Sequence, residues 1–412
     1  MGQKRMRLTF VAPPFAGHFN PLLVLAQAAR DAGHDIDFIT GPRKHPILNA
    51  NGISAPTLAS IGPDTLEAIA NTKDRVGSNP IRLLKQFRQN LRLLPAIGAE
   101  LAARWTRHRP DAVIADSVAP IAGLVAERLS IPWLTTIATP LSIETRKGTP
   151  SYCGGWTPGN PARDAAGRAA IRMFKHSVAL LFRPEFAALG LTSLYRPDGA
   201  EAIYSPHAIL GFGINELEFE RDWPSPFEMV GPIVDAPESS PANAPMNRPR
   251  VIVTHGTHLL WAKRTLVDEI VELSKQLPHV DFVVSLGEPE RAGDSPQESA
   301  NHVTVQPFVD YSFKHYDAII HHGGSGVTYA AILAGVPSLV VPRDYDQFDY
   351  AARIVHHQLG LRHSSLRDSA KLVSRLLDRA QWPALQRFQQ YAKAYAPRAR
   401  FLEILNRVVE RT

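Results

Sequence analysis

Short apolar runs alternate along the whole chain with stretches whose apolar residues recur every three or four positions. Residues 7–12 form the first such run and read as a buried strand. Leu22, Leu23, Leu25, Ala26, Ala28 and Ala29 then predict a helix over about 21–33, with Asn20 as its cap and Pro21 in its first turn. Residues 13–20 are left as a loop, and 35–40 return as a second strand. The same alternation predicts strands at 112–116, 131–136 and 208–213, then at 250–254 and 281–286, a strand running into a loop over 302–309, and strands at 318–320 and 338–341. Helical spacing covers 80–109, 263–276, 325–334 and 380–412. Residues 140–200 are poorly patterned and read as loops and short helices, with Tyr152, Trp156, Phe174 and Phe182 scattered through them. Strands of this kind, separated by helices, predict an α/β fold built on parallel sheets.

Composition narrows the setting. A chain of 412 residues accommodates about two domains of ordinary size. The prolines at 237, 241, 245 and 249, among Ser, Ala, Glu and Asn, mark a linker between them. The formal charge of +6 suits acidic ligands such as nucleotide diphosphates, or an anionic membrane surface. No basic block interleaves with aromatics, which argues against nucleic acid. Cys153 is the single cysteine, so no intrachain disulfide forms and a reducing, cytoplasmic setting is expected. Residues 8–15 are too short and proline-broken for a signal peptide, and no apolar stretch approaches a membrane span, so the protein is expected to be soluble or peripheral on the inner membrane face. The helix predicted between Pro80 and Arg109 interleaves leucines with Arg82, Lys85, Arg88 and Arg92. It reads either as a packing helix with a solvated basic side or as a helix that meets an anionic membrane.

The chemistry concentrates at strand ends. After the run Ala318 to Ile320 come His321, His322, Gly323, Gly324, Ser325, Gly326, Val327 and Thr328, opening a helix. A glycine-rich turn that presents free N–H groups at a helix start favours phosphate. Asp346 and Gln347 lie beyond the next strand, where ligands of open α/β sheets bind, and together they suit sugar hydroxyls. In the first half the βαβ unit lacks the G-x-G-x-x-G fingerprint of dinucleotide sites and offers Gly17-His18-Phe19-Asn20-Pro21 instead. His18 reads as a loop-capping histidine or as a site residue. Asp116 ends a later strand, whereas Asp111 precedes that strand and points to the sheet's other end. The adjacent histidine pairs 321–322 and 356–357 have no third ligand at useful spacing, so no metal is expected.

These blocks resemble the UDP-glycosyltransferase family, in particular its bacterial branch acting on small lipophilic or natural-product acceptors. The resemblance rests on the turn after His322, on Gly335-Val336-Pro337, on Pro342 through Asp346-Gln347, and on Gly17-His18-x-x-Pro21. It implies two Rossmann-like domains facing a cleft, the GT-B architecture. The expected boundaries are 1–232 for an acceptor-binding domain, 233–249 for the linker, 250–385 for a nucleotide-sugar domain, and 386–412 for a helix that crosses back to the first domain. It also implies that His18 is the catalytic base and Asp116 its orienting carboxylate. His322, Gly323, Gly324, Ser325, Gly326 and Val327 would hold the diphosphate, and Asp346 and Gln347 the sugar. Gly256 and Thr257 would lie beside the nucleotide, and Phe308 and Val309 would receive the base. The donor is then a nucleotide sugar, a co-substrate rather than a cofactor, and the acceptor small and lipophilic, with residues 140–200 lining its pocket.

The sequence departs from the family pattern at four places. Ala330 replaces the glutamate many relatives use for the ribose, and Gly326, Val327 and Tyr350 replace other common residues. Without that glutamate a thymidine sugar fits as well as a uridine sugar. The leading expectation is an inverting, metal-independent glycosyltransferase. The competing one is a nucleotide-sugar-binding protein without transfer, epimerase-like or a degenerate auxiliary subunit.

Overall fold

A computed structural model describes residues 5–70, 76–77, 79–234, 248–300 and 302–411. Most of the expected linker, 235–247, lies outside the described residues. The first half contributes strands β1 (Arg7–Val11), β2 (Asp35–Ile39), β3 (Ala112–Asp116), β4 (Trp133–Ile137), β5 (Ile209–Gly211) and β6 (Phe227–Met229). The second contributes β7 (Arg250–Thr254), β8 (Asp281–Ser285), β9 (Gln297–Ala300), β10 (Val303–Gln306), β11 (Ala318–His321), β12 (Ser338–Val340) and β13 (Gly360–Arg362). They form a six-stranded sheet in the order β2-β1-β3-β4-β5-β6 and a seven-stranded one in the order β13-β12-β11-β7-β8-β10-β9. All pairings are parallel except β9 with β10, an edge hairpin the sequence pattern does not show.

Both orders reverse direction next to their first strand. The reversal falls between β1 and β3 in the first sheet and between β7 and β11 in the second. Chains leaving such a pair of strands diverge to opposite faces, which opens a crevice at the carboxyl edge. His18 and Asp116 follow β1 and end β3, and Gly256 and His322 follow β7 and β11.

Three sequence expectations are corrected. The first helix spans Ala16–Asp31 with Pro21 inside it, so His18 stands in its first turn rather than in a loop. Phe15 is the extended cap residue, and its carbonyl accepts from the Phe19 N–H at 2.7 Å. Pro21 removes only the bond to Gly17, near the helix start, while burial of Phe19, Leu22 and Leu23 holds the turn in place. Second, residues 140–200 contain a 21-residue helix, Pro161–Leu181, rather than short pieces. Asn160 caps it by accepting from Arg163 N at 3.0 Å, and Pro161 starts it, signals that the alanine- and arginine-rich composition obscured. Third, the return to the first half begins after residue 394 rather than at 386. Leu385, Phe388 and Ala392 of the helix Ala384–Ala394 pack in the core of the second sheet. Phe401, Ile404, Leu405 and Val408 of Pro397–Glu410 pack in the core of the first, with Phe10, Leu22 and Phe38.

The carboxyl edges of the two sheets meet along a polar seam. Arg353, buried on helix Gln347–His356, pairs with the buried Glu218 at 2.8 Å. Asp349 of the same helix accepts from the backbone N–H groups of Cys153 at 2.7 Å and Gly154 at 3.2 Å. Asp344 accepts from Val76 and Gly77 N–H at 3.2 and 2.9 Å. Phe401 is wholly buried with its ring 6.0 Å from that of Phe10. Phe401→Ala is therefore expected to cost ~3–5 kcal/mol in denaturant unfolding of the first half. A loss within error of zero refutes a bracing role for the last helix.

Candidate active site

The crevice of the first sheet holds an imidazole against a carboxylate. His18 Nδ1 lies 2.9 Å from Asp116 Oδ1, with the carboxylate fully buried and the histidine side chain about a quarter exposed (25%). Asp116 is kept in place by the Val118 N–H, which donates to the same oxygen at 2.8 Å. Burial disfavours the charged imidazole, but the pairing with Asp116 and the nearby Asp346 outweigh it, so the His18 pKa is raised. Asp111, the other carboxylate considered, accepts from Arg7 N at the opposite end of the strands, 2.7 Å away.

Across the crevice the second sheet presents the turn after β11. The ring of His322 fills the space that Cβ atoms at two glycines would need: one at Gly256 falls 2.8 Å from Cε1 and one at Gly324 falls 2.6 Å from Nε2. Side chains at either position would expel the ring. Burial pushes the His322 pKa down to about 4, against the opposing effect of the Thr254 carbonyl. The helix Ser325–Ala334 starts at Gly324 without a side-chain cap, so its first N–H groups are presented to the crevice. Ser325 and Gly326 are partly exposed there, whereas the Val327 side chain is buried in an apolar cluster with Ile252, Val283 and Ala330, leaving only its N–H for a ligand. Phe308 is half-buried just beyond β10. Val309 donates its N–H to Ser285 Oγ at 3.0 Å, which leaves its carbonyl for a base.

Asp346 and Gln347 differ in what they have left to offer. Thr139, from the first half, donates to Asp346 Oδ2 at 2.9 Å, and burial raises the Asp346 pKa despite this bond. Gln347 Oε1 already accepts from the backbone N–H of Arg343 at 2.8 Å and of Asp344 at 3.0 Å. The amide oxygen shapes the loop, so only the NH₂ end of Gln347 remains for a sugar hydroxyl.

A profile for "Erythromycin biosynthesis protein CIII-like, C-terminal domain" matches residues 279–396. Zeaxanthin glucosyltransferase of Pantoea ananas is 26% identical over 385 residues, covering 89% of this chain and 86% of its own. The glycotransferase of kitacinnamycin superposes with a TM-score of 0.76 over 98% of this chain and 99% of its own, at 19% identity. The Streptomyces sp. SF2575 glycosyltransferase SsfS6, complexed with thymidine diphosphate, gives 0.68 over 98% and 100%, also at 19%. Along most of its length this chain is similar to bacterial glycosyltransferases of the UDP-glycosyltransferase type. Its two facing sheets are the GT-B fold.

The structure adds two residues that the sequence pattern does not mark, Lys263 and His258, and gives Tyr152 its setting. Lys263 Nζ lies 3.3 Å from the Thr257 carbonyl and 3.5 Å from that of Gly287, and burial pushes its pKa down to about 8, against Glu288 and Glu290. His258, one residue past Thr257, meets Phe15 of the first half ring to ring at 5.3 Å, and burial takes its pKa down to about 4. Tyr152 sits in the left-handed region at φ 54, half exposed (50%), beside Ser142 and Asp346. The bonds of Asp349 to the two following N–H groups fix that turn. No sequence signal marks Lys263 or His258, because each acquires its setting from the opposite half or from a distant loop. A cavity of about 750 Å³ also opens beside the Asp346 loop, between Trp261, Arg343, Phe348 and Arg362.

His18 is expected to titrate above the ordinary histidine value of ~6.5 in ring-nitrogen NMR. In Asp116→Asn burial acts with less opposition and the value falls. An unchanged titration in Asp116→Asn contradicts the carboxylate's hold on His18.

Proposed function

We propose that this enzyme moves a sugar from a UDP- or dTDP-linked donor to a hydroxyl of a small apolar acceptor, with inversion at the anomeric carbon and without a metal. The observation that carries this reading is the placement of the His18–Asp116 pair on one wall, with Asp346, His322 and Lys263 on the other. The ring nitrogen of His18 that does not face Asp116 takes the acceptor's proton. The acceptor oxygen bonds to the anomeric carbon as the bond from that carbon to the diphosphate breaks. Asp116 stabilises the imidazolium formed. The leaving diphosphate gains charge against Lys263, the N–H groups at Ser325 and the His322 ring, groups fixed before the reaction. Asp346 and the Gln347 amide hold the sugar.

The thymidine diphosphate bound to SsfS6 supports a dTDP donor. So does Ala330, buried and without a polar group for a ribose 2′-hydroxyl. The zeaxanthin glucosyltransferase relative supports an apolar acceptor. Purified enzyme given a panel of nucleotide sugars with apolar alcohols tests the reading by diphosphate release. NMR of the product's anomeric centre reads inversion. Release only with hydrophilic acceptors, or retention, overturns the corresponding part.

His18→Ala is expected to lower turnover ~10²–10⁴-fold while donor affinity stays near wild type. Turnover above a tenth of wild type removes His18 as the base. Gly324→Ala forces the His322 ring aside and is expected to weaken nucleoside diphosphate binding about tenfold, as is Lys263→Met. Calorimetry showing unchanged affinity in both variants takes the diphosphate away from this turn, and loss of turnover with EDTA contradicts the metal-independent step.

A further inference from the structure

The helix Pro161–Leu181 is turned inside out relative to an ordinary surface helix. Four of its basic residues, Arg163, Arg168, Arg172 and Lys175, find partners on its own chain. Arg172 pairs with Glu144 at 2.8 Å, Lys175 with Glu201 and with Glu144 at 3.3 Å, and Arg168 donates to the Gly148 carbonyl. Arg163 folds back over the Trp156 ring, 3.9 Å from its centroid. The side left to solvent carries Ala162, Ala166, Ala169, Ala170, Met173, Phe174, Ser177, Leu180 and Leu181, every one of them exposed. Met173 is 69% exposed, Phe174 57%, Leu180 74% and Leu181 53%. A helix of 21 residues makes this strip about 31 Å long and one helix wide.

The end of the strip adjoins a basic stripe. Arg88 of helix Pro80–Arg107 lies 5.2 Å over the ring of Phe182, the residue after Leu181, and 3.9 Å from Glu185. Ile81, Lys85, Arg88 and Arg92 share one face of that helix, and all four are exposed, Ile81 by 78%. Arg183 is exposed at the start of the following helix.

We propose that this strip and its basic stripe form a docking surface for an anionic lipid membrane. Apolar side chains of an in-plane helix enter the boundary between headgroups and acyl chains, and lysines and arginines beside it meet the lipid phosphates. The surface lies outside the cleft and does not depend on the transfer reaction. It does place the cleft next to a reservoir of apolar molecules, since the helix begins just beyond the turn at Tyr152.

Co-sedimentation of the full chain with phosphatidylglycerol–phosphatidylcholine vesicles at low salt, and with phosphatidylcholine alone, decides the matter. Binding is expected to the anionic vesicles and to weaken with salt. The double variant Phe174→Glu, Leu180→Glu is expected to lose binding roughly tenfold or more, and Lys85→Glu with Arg92→Glu likewise. All four side chains are exposed, so thermal melting unchanged from wild type shows that the variants fold. Equal recovery in the supernatant with both vesicle types overturns the proposal, as does wild-type binding by the Phe174→Glu, Leu180→Glu variant. A wild-type dimer in sedimentation velocity that this variant dissolves, without vesicle binding, overturns it in favour of an interface between copies.

Discussion

The cleft depends on the seating of helix Gln347–His356 of the second half against the first. Arg353 and Glu218 are both almost fully buried and 2.8 Å apart, and Asp349 is satisfied by two N–H groups from the opposite half. Burying such charges gives little net stability once desolvation is counted, but leaving one unpaired is costly. The pairing therefore acts as a register: the helix docks with these partners met. Asp346 is the residue immediately before that helix, so its position near Thr139 and His18 follows from the same docking.

The two walls have opposite electrostatic characters. On the first, a buried carboxylate raises the pKa of His18. On the second, burial lowers those of His322, His258 and Lys263. Groups of the second kind are held with less positive charge than they would carry in water, and an anionic ligand restores it. The first wall therefore favours charge on its imidazole, while the second holds its basic groups toward their neutral forms. The glycines around His322 make the arrangement compact, since the ring occupies the volume that side chains would take.

The proline inside Ala16–Asp31 shows how local signals and packing compete. A proline after a good capping residue places a helix start at Pro21, yet the helix begins at Ala16. One missing backbone bond is outweighed by burial of the apolar residues of that turn. The result brings His18 onto a helix whose orientation is fixed by the core, a firmer mount than a loop.

What the sequence determined by itself was the periodic skeleton and the residues at strand ends. Buried parallel strands must be continuous and apolar, and tight turns toward a ligand must be glycine-rich, so β1, β3, β11 and the turn after His322 were legible, with His18 and Asp116 at the correct edge. The long helix Pro161–Leu181 was not, because Met173, Phe174, Leu180 and Leu181 face solvent while Arg172 and Lys175 pair with carboxylates of the same chain, which blurs the pattern that burial normally writes. Lys263 and His258 were not either, since a side chain's surroundings come from chain segments far away in sequence. The use of the Gln347 oxygen by its own loop, the turn of Val327 into the core and the crossing after residue 394 were likewise decided only in three dimensions. Local chemistry writes the elements into the chain; which groups face each other across a cleft is settled by how two sheets dock.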